Sequence, residues 1–127
     1  MVFGTFDGLH AGHLNLFKQA KKLGDYLIVV VARNQNIKRV KGHLPRFSER
    51  KRLRAVLAAK ASDLAILGQI RDPYAVIRRH RPQIIALGYD QRSFDAKLKK
   101  FFPRIKIVRL KPYRAKCYKS SLMNKMP

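Results

Sequence analysis

Acidic residues, cysteine and long apolar runs are all scarce in this sequence, and each shortage excludes something. Seven Asp and Glu stand against 29 Lys and Arg in 127 residues, a formal charge of +22. Such a chain attracts polyanions of any kind, including nucleic acid, nucleotides and phosphates. The basic residues are nevertheless spread along the chain without the interleaved aromatics of a base-stacking surface. Nucleic acid is therefore expected as a non-specific partner at low salt. A lone cysteine, Cys117, excludes an internal disulfide framework and points to a reducing, cytoplasmic compartment. No apolar run approaches the roughly 20 residues of a membrane span, so no membrane partner is expected. Met1-Val2-Phe3 leads straight into the first motif, with no signal or transit peptide in view. So short a first strand is what a trimmed N-terminus would leave.

What is present is concentrated in one stretch, Phe3-Gly4-Thr5-Phe6-Asp7-Gly8-Leu9-His10-Ala11-Gly12-His13. It reads as the end of an apolar strand, a glycine-rich turn and the first turn of a helix. Free backbone N–H groups and the positive end of the helix dipole meet there, which makes an anion site. Residues three apart on a helix share a face, so His10 and His13 can reach one ligand. A zinc pair would usually sit four apart with a third ligand in view, and neither condition is met. The amphipathic run Leu14 to Leu23 predicts a helix closed by Gly24.

Further along, Tyr26 to Ala32 is a β-branched run apolar on both faces, as in a central strand of a parallel sheet. Arg33 to Phe47 reads as a polar, basic loop. Ser48 is placed to cap a helix from Glu49 to about Lys60 with Leu53, Val56 and Leu57 facing inward. Asp63 to Leu67 is a third strand, and Asp72-Pro73 predicts an N-cap with proline at the first helical position. That helix stops before Pro82. Gln83 to Leu87 is a fourth strand ending at Gly88-Tyr89-Asp90-Gln91, and Ser93 opens a helix ending near Phe102-Pro103. Ile105 to Leu110 alternates apolar and basic residues, as an edge strand does. Strands alternating with helices predict one α/β domain over residues 1–127, an open parallel five-stranded sheet of Rossmann-like form with helices on both faces. In such folds ligands bind beyond the C-terminal ends of the strands. The first motif and the turn at Gly88 both follow strand ends, so they can share a site.

The first motif resembles the signature of the cytidylyltransferase-like nucleotidyltransferases, which join a nucleoside triphosphate to a phosphate monoester and release pyrophosphate. The substrate's own phosphate attacks the α-phosphorus in that reaction. The protein supplies alignment and charge neutralisation, and no protein nucleophile is needed. The resemblance covers nearly the whole chain. It implies that His10 and His13 contact the triphosphate and stabilise the transition state, and that Thr5, Phe6 and Asp7 border the nucleotide. Lys41 is similar to a lysine that reaches the phosphates of the incoming substrate. Arg52, eleven residues before Asp63, keeps the spacing of a family arginine and is grouped with the catalytic residues. Gly88 and Asp90 match the turn that contacts the nucleoside. Arg114, Tyr118 and Ser120 fall in a weaker match to a C-terminal phosphate-binding pattern, Arg-x-x-x-Ile-Ser-Thr-Thr, with Tyr118-Lys119 in place of Ile-Ser and Ser120-Ser121 in place of the threonines. The likeness also implies Mg²⁺ carried by the nucleotide phosphates, with no protein metal ligands, and a homodimer.

Within the superfamily, Ile85-Ala86-Leu87-Gly88-Tyr89-Asp90-Gln91, Val31-Ala32-Arg33 and Lys41-Gly42 are most similar to archaeal-type FAD synthases. That implies AMP transfer from ATP to FMN. Glycerol-3-phosphate cytidylyltransferases, acting with CTP, usually carry an acidic pair where this chain has Tyr89-Asp90. ADP-heptose adenylyltransferases share the Lys-Gly loop. An alternative of another class is a non-catalytic nucleic-acid or polyanion binder on the same fold, which the +22 charge would suit. Steep loss of binding with salt would mark the binder.

Overall fold

The computed structural model describes residues 1–72, 74–88 and 92–112, without the side chains of 92–96. Five strands, β1 (Val2–Gly4), β2 (Ile28–Val31), β3 (Leu64–Leu67), β4 (Ile84–Leu87) and β5 (Lys106–Arg109), alternate with five helices. The helices are α1 (Ala11–Lys21), α2 (Asn34–Lys41), α3 (Glu49–Ala59), α4 (Ala75–His80) and α5 (Arg92–Phe101). All strand pairs are parallel, in the order β3-β2-β1-β4-β5. The chain builds outward from β1 to β3, then crosses back to lay β4 on the other side of β1. The order therefore reverses between β1 and β4, which opens a crevice at their C-terminal ends.

Strand alternation divides the core in two. Val2, Val29, Val31, Ala65 and Ala86 point to one face and pack with Phe17 and Ala20 of α1 and Val56 of α3. Ile28, Val30, Ile85 and Leu87 point to the other, against Val76 and Ile77 of α4 and Leu98 of α5. Central strands covered on both sides must be apolar at every position, and all four residues of β2 are buried. Removing each such side chain from water contributes roughly 1.5–3 kcal/mol. The parallel sheet and its two helical layers match the sequence expectation.

Several local expectations are corrected. The stretch read as a basic loop from Arg33 to Phe47 contains α2. Its start is fixed from a distance: the Glu49 carboxylate takes the Asn34 N–H at 2.9 Å and the Arg33 guanidinium at 2.9 Å. Gly42, at φ 84°, ends α2 in the left-handed conformation that glycine adopts without penalty. At the end of α1 it is Lys22, not Gly24, that caps: the Lys22 N–H turns back to the Gln19 carbonyl and the Leu23 N–H to the Ala20 carbonyl. Asp72 does not cap α4 directly. Its carboxylate accepts the Tyr74 N–H and its carbonyl accepts the Ala75 N–H, so a turn precedes the helix; Pro73 lies outside the described residues. Ser48 caps α3 as predicted, accepting the Lys51 N–H at 3.2 Å. Leu57, however, is half exposed, while Arg52 is 1% exposed. Positions 52 and 56 lie one turn apart on the inward stripe, and the arginine takes the place the leucine was given.

Candidate active site

The turn after β1 is tightly built. Phe6 is buried with φ 53°, a left-handed backbone rare for an aromatic residue. Its ring lies so close over Gly4 that a Cβ there would come within 2.5 Å of it. Gly8, at φ 93°, completes the reversal, and its N–H bonds to the Phe6 carbonyl at 3.0 Å. Such strained turns persist where surrounding contacts determine them. Those contacts are present: the Phe6 ring stands edge-on to His13, centroids 5.4 Å apart, and packs on Phe17 at 5.3 Å.

Two side chains staple this turn to the segment before α3. Asp7 accepts the backbone N–H groups of Arg46 at 2.7 Å and Phe47 at 2.9 Å. Partial burial works against its charge. The two N–H donors, with the Arg46 and Arg52 charges nearby, outweigh that and hold the carboxyl below the ordinary aspartate range. Arg52 lies beneath. Its Nη1 donates to the Thr5 carbonyl at 2.8 Å, its Nε to the Phe47 carbonyl at 3.1 Å and its Nη2 to Asn34 Oδ1 at 2.6 Å. Desolvation lowers its pKa, and the charges of Asp7 and Glu49 oppose that.

The two histidines form a reciprocal cap on α1. His10 is the N-cap residue, in extended conformation, and its Nδ1 accepts the Gly12 N–H at 3.0 Å. His13 Nδ1 accepts the His10 N–H at 3.2 Å. The rings stack, centroids 3.9 Å apart. Because both Nδ1 atoms are acceptors, the neutral rings must carry their protons on Nε2. Burial lowers the pKa of His10. Burial, then the neighbouring His10, pushes His13 down to about 4. At neutral pH the pair is therefore two uncharged N–H donors with fixed tautomers. Such donors can hold phosphate oxygens without trading protons.

A cavity of about 720 Å³ opens over the C-terminal ends of β1, β2, β3 and β4. Of the residues singled out from sequence, Thr5, Phe6, Asp7, His10, His13, Lys41 and Gly88 line it. Arg52 is not on its wall but braces the loop under it. Asp90, Arg114, Tyr118 and Ser120 lie outside the described residues. Sequence reasoning passed over Arg33 and Asn36, which also line the cavity. Arg33 bonds through Nε to the Gly68 carbonyl at 2.7 Å and through Nη1 to Glu49. A usable signal was the scarcity of acids: Asp7, Glu49, Asp63 and Asp72 each hold a backbone N–H, and Asp7 and Glu49 mark the site. Among the described residues, no three His, Cys, Asp or Glu converge as a metal cluster.

The chain is similar to known proteins along most of its length. The cytidylyltransferase-like family model matches residues 1–121. The FAD synthase of Thermoplasma volcanium is 41% identical, over 98% of this chain and 90% of its own. That of Aciduliprofundum boonei is 44% identical over 89% of this chain and 78% of its own. That of Methanothrix thermoacetophila is 50% identical over 72% and 62%. Among solved structures, the lipopolysaccharide core biosynthesis protein of Thermoplasma volcanium superposes with a TM-score of 0.79 at 42% identity, covering 90% of this chain and 96% of that one.

Proposed function

This chain belongs to the cytidylyltransferase-like family, and from that premise we propose that it is an FMN adenylyltransferase, transferring AMP from ATP to FMN to give FAD and pyrophosphate. The carrying observation is the likeness to archaeal FAD synthases across nearly the whole chain. One domain is taken to perform the reaction. The FMN phosphate oxygen attacks the ATP α-phosphorus, a new P–O bond forms, and the bond to the β-phosphate oxygen breaks to release pyrophosphate. His10 and His13 donate from Nε2 to the oxygens of the reacting phosphates. Their Nδ1 atoms are engaged by backbone N–H groups, so the donors are aimed before substrate arrives.

Thr5, Phe6 and Asp7 shape the turn that faces the nucleotide. Lys41 neutralises the acceptor phosphate, and Gly88 with Asp90 borders the nucleoside. Family likeness assigns Arg114, Tyr118 and Ser120 to the nucleotide phosphates. Arg52 acts as a positioning residue, since its described donors go to protein acceptors. A Mg²⁺ ion held by the triphosphate oxygens, the ligands this hard cation prefers, would offset their charge. Asp7 is already committed to two backbone amides, which fits a metal held chiefly by the nucleotide. Family likeness supports a homodimer and a cytoplasmic setting, both checked by light scattering and cell fractionation. The +22 charge supports loose attraction to nucleic acid that salt disperses.

Pyrophosphate release tests the reading, with ATP or CTP each paired with FMN, glycerol 3-phosphate or a sugar 1-phosphate. ATP with FMN is the pair expected to react. Turnover only with CTP and a small phosphate would reassign the substrates, and silence in every pair would remove the enzyme.

A further inference from the structure

We propose that the α2 side of the cavity, walled by Asn36, Ile37, Val40, Lys41 and Pro45, seats the isoalloxazine ring of the flavin acceptor. Val40 and Asn36 are the residues that recognise it. This assignment rests on the FMN adenylyltransferase reading and adds to it the place where the acceptor is read.

The topology divides the cavity. In the order β3-β2-β1-β4-β5, the loop after β1 and its two histidines lie between β4 on one side and β2 and β3 on the other. Gly88 lies at the first side, and Gly68, Gln69 and α2 at the second. Two substrates that meet in line at one phosphorus must approach it from opposite sides. Each side of the histidines thus receives one of them.

The α2 side has the chemistry of a large, mostly apolar ring. α2 is otherwise polar and basic, yet Val40 on its cavity wall is 80% exposed, with Ile37 buried one turn before it. With Ile37 and Pro45 it gives this wall an apolar surface that a ligand ring can cover. Asn36 adds the polar requirement. Its Nδ2 donates to the Gln69 carbonyl at 3.1 Å, while its Oδ1 is buried and meets no donor among the described residues. An unpaired buried acceptor is costly and is relieved by a ligand N–H that a small side-chain rotation would meet. The flavin ring presents one apolar dimethylbenzene half and one pyrimidine half with a single N–H between two carbonyls. Adenine offers an N–H but no comparable apolar half. Lys41 lines the same cavity, and its long side chain is free to reach the phosphate that the ribityl chain carries away from the ring.

The test compares FAD formation by the wild type, Val40→Asn and Asn36→Leu. Val40 is exposed and asparagine has nearly its helix propensity, so the fold is kept. The KM for FMN should rise about tenfold in Val40→Asn and about fivefold in Asn36→Leu, with the KM for ATP within about twofold of wild type. Riboflavin, which has the ring without the phosphate, should compete with FMN in the wild type and lose most of that effect in Val40→Asn. An unchanged KM for FMN, or an equal rise for ATP, would overturn the seat while the adenylyl-transfer reading stands. A wild type that makes no FAD would overturn that reading and the seat with it.

Discussion

The cavity has two contrasting rims. One is the turn from Gly4 to His10, where a left-handed Phe6, a doubly bonded Asp7 and the buried Arg52 fix every part. The other is the α2 terminus from Lys38 to Leu44, exposed along its length, with Val40 at 80% and Leu44 at 56%. Aligning phosphates for in-line attack requires donors fixed to fractions of an ångström. Receiving an acceptor requires only charge and an apolar surface that can adjust. The scarce acids follow that division in part: Asp7 braces the rigid rim, Glu49 holds the start of α2, and none falls between Lys38 and Leu44.

The largest effect should come from the rigid rim's chemistry. His13→Ala is expected to lower kcat by about 100-fold or more, as loss of a transition-state donor does. Its melting temperature should fall only by the few degrees that a lost cap costs, about 1 kcal/mol. A rate near wild type would remove the contrast between the rims. Next is the brace. Arg52→Met leaves the Thr5 and Phe47 carbonyls and Asn34 Oδ1 without their donor. It should cost roughly 3 kcal/mol in urea denaturation. Arg52→Lys should recover little, because an ammonium cannot span three divergent acceptors. Full stability in Arg52→Met would mean that the turn holds itself.

Lys41→Ala should do the opposite on the exposed rim. A several-fold rise in KM for FMN is expected, with a melting temperature within about 1 °C of wild type. A further effect is on stability against pH. His13 titrates at about 4 in the fold against 6.5 ordinarily. Below 6.5 the unfolded chain takes up the proton first, so stability is full above that pH and declines towards 4. Asp7 and Glu49, both held below their ordinary values, lose their contributions only at lower pH. Urea midpoints at pH 7.5 and 5 check the sign, and His13→Gln should flatten the difference.

The exposed rim was the less legible in sequence. The sheet was readable because its inner strands are continuous apolar runs and its edge strand β5 alternates, and the site because a glycine-rich turn follows a strand end. α2 was not, since NQNIKRVK holds only two apolar residues and its start is capped by Glu49, 15 residues from Asn34. Gly42 did announce the end of a helix. Arg52 was legible only in part, for a different reason. Its spacing resembled a catalytic residue of the family, whereas burial among backbone carbonyls is a tertiary property that spacing does not encode. The double histidine cap was likewise hidden, because histidine is not a usual N-cap residue.

The most direct test of the account follows the phosphorus itself. ATP labelled at the α-phosphate or at the γ-phosphate is incubated with FMN and the full chain, and the products are separated. The account predicts α-label in FAD and γ-label in pyrophosphate, in equal amounts. Appearance of the γ-label on the flavin product, or of no label in any flavin, would contradict it.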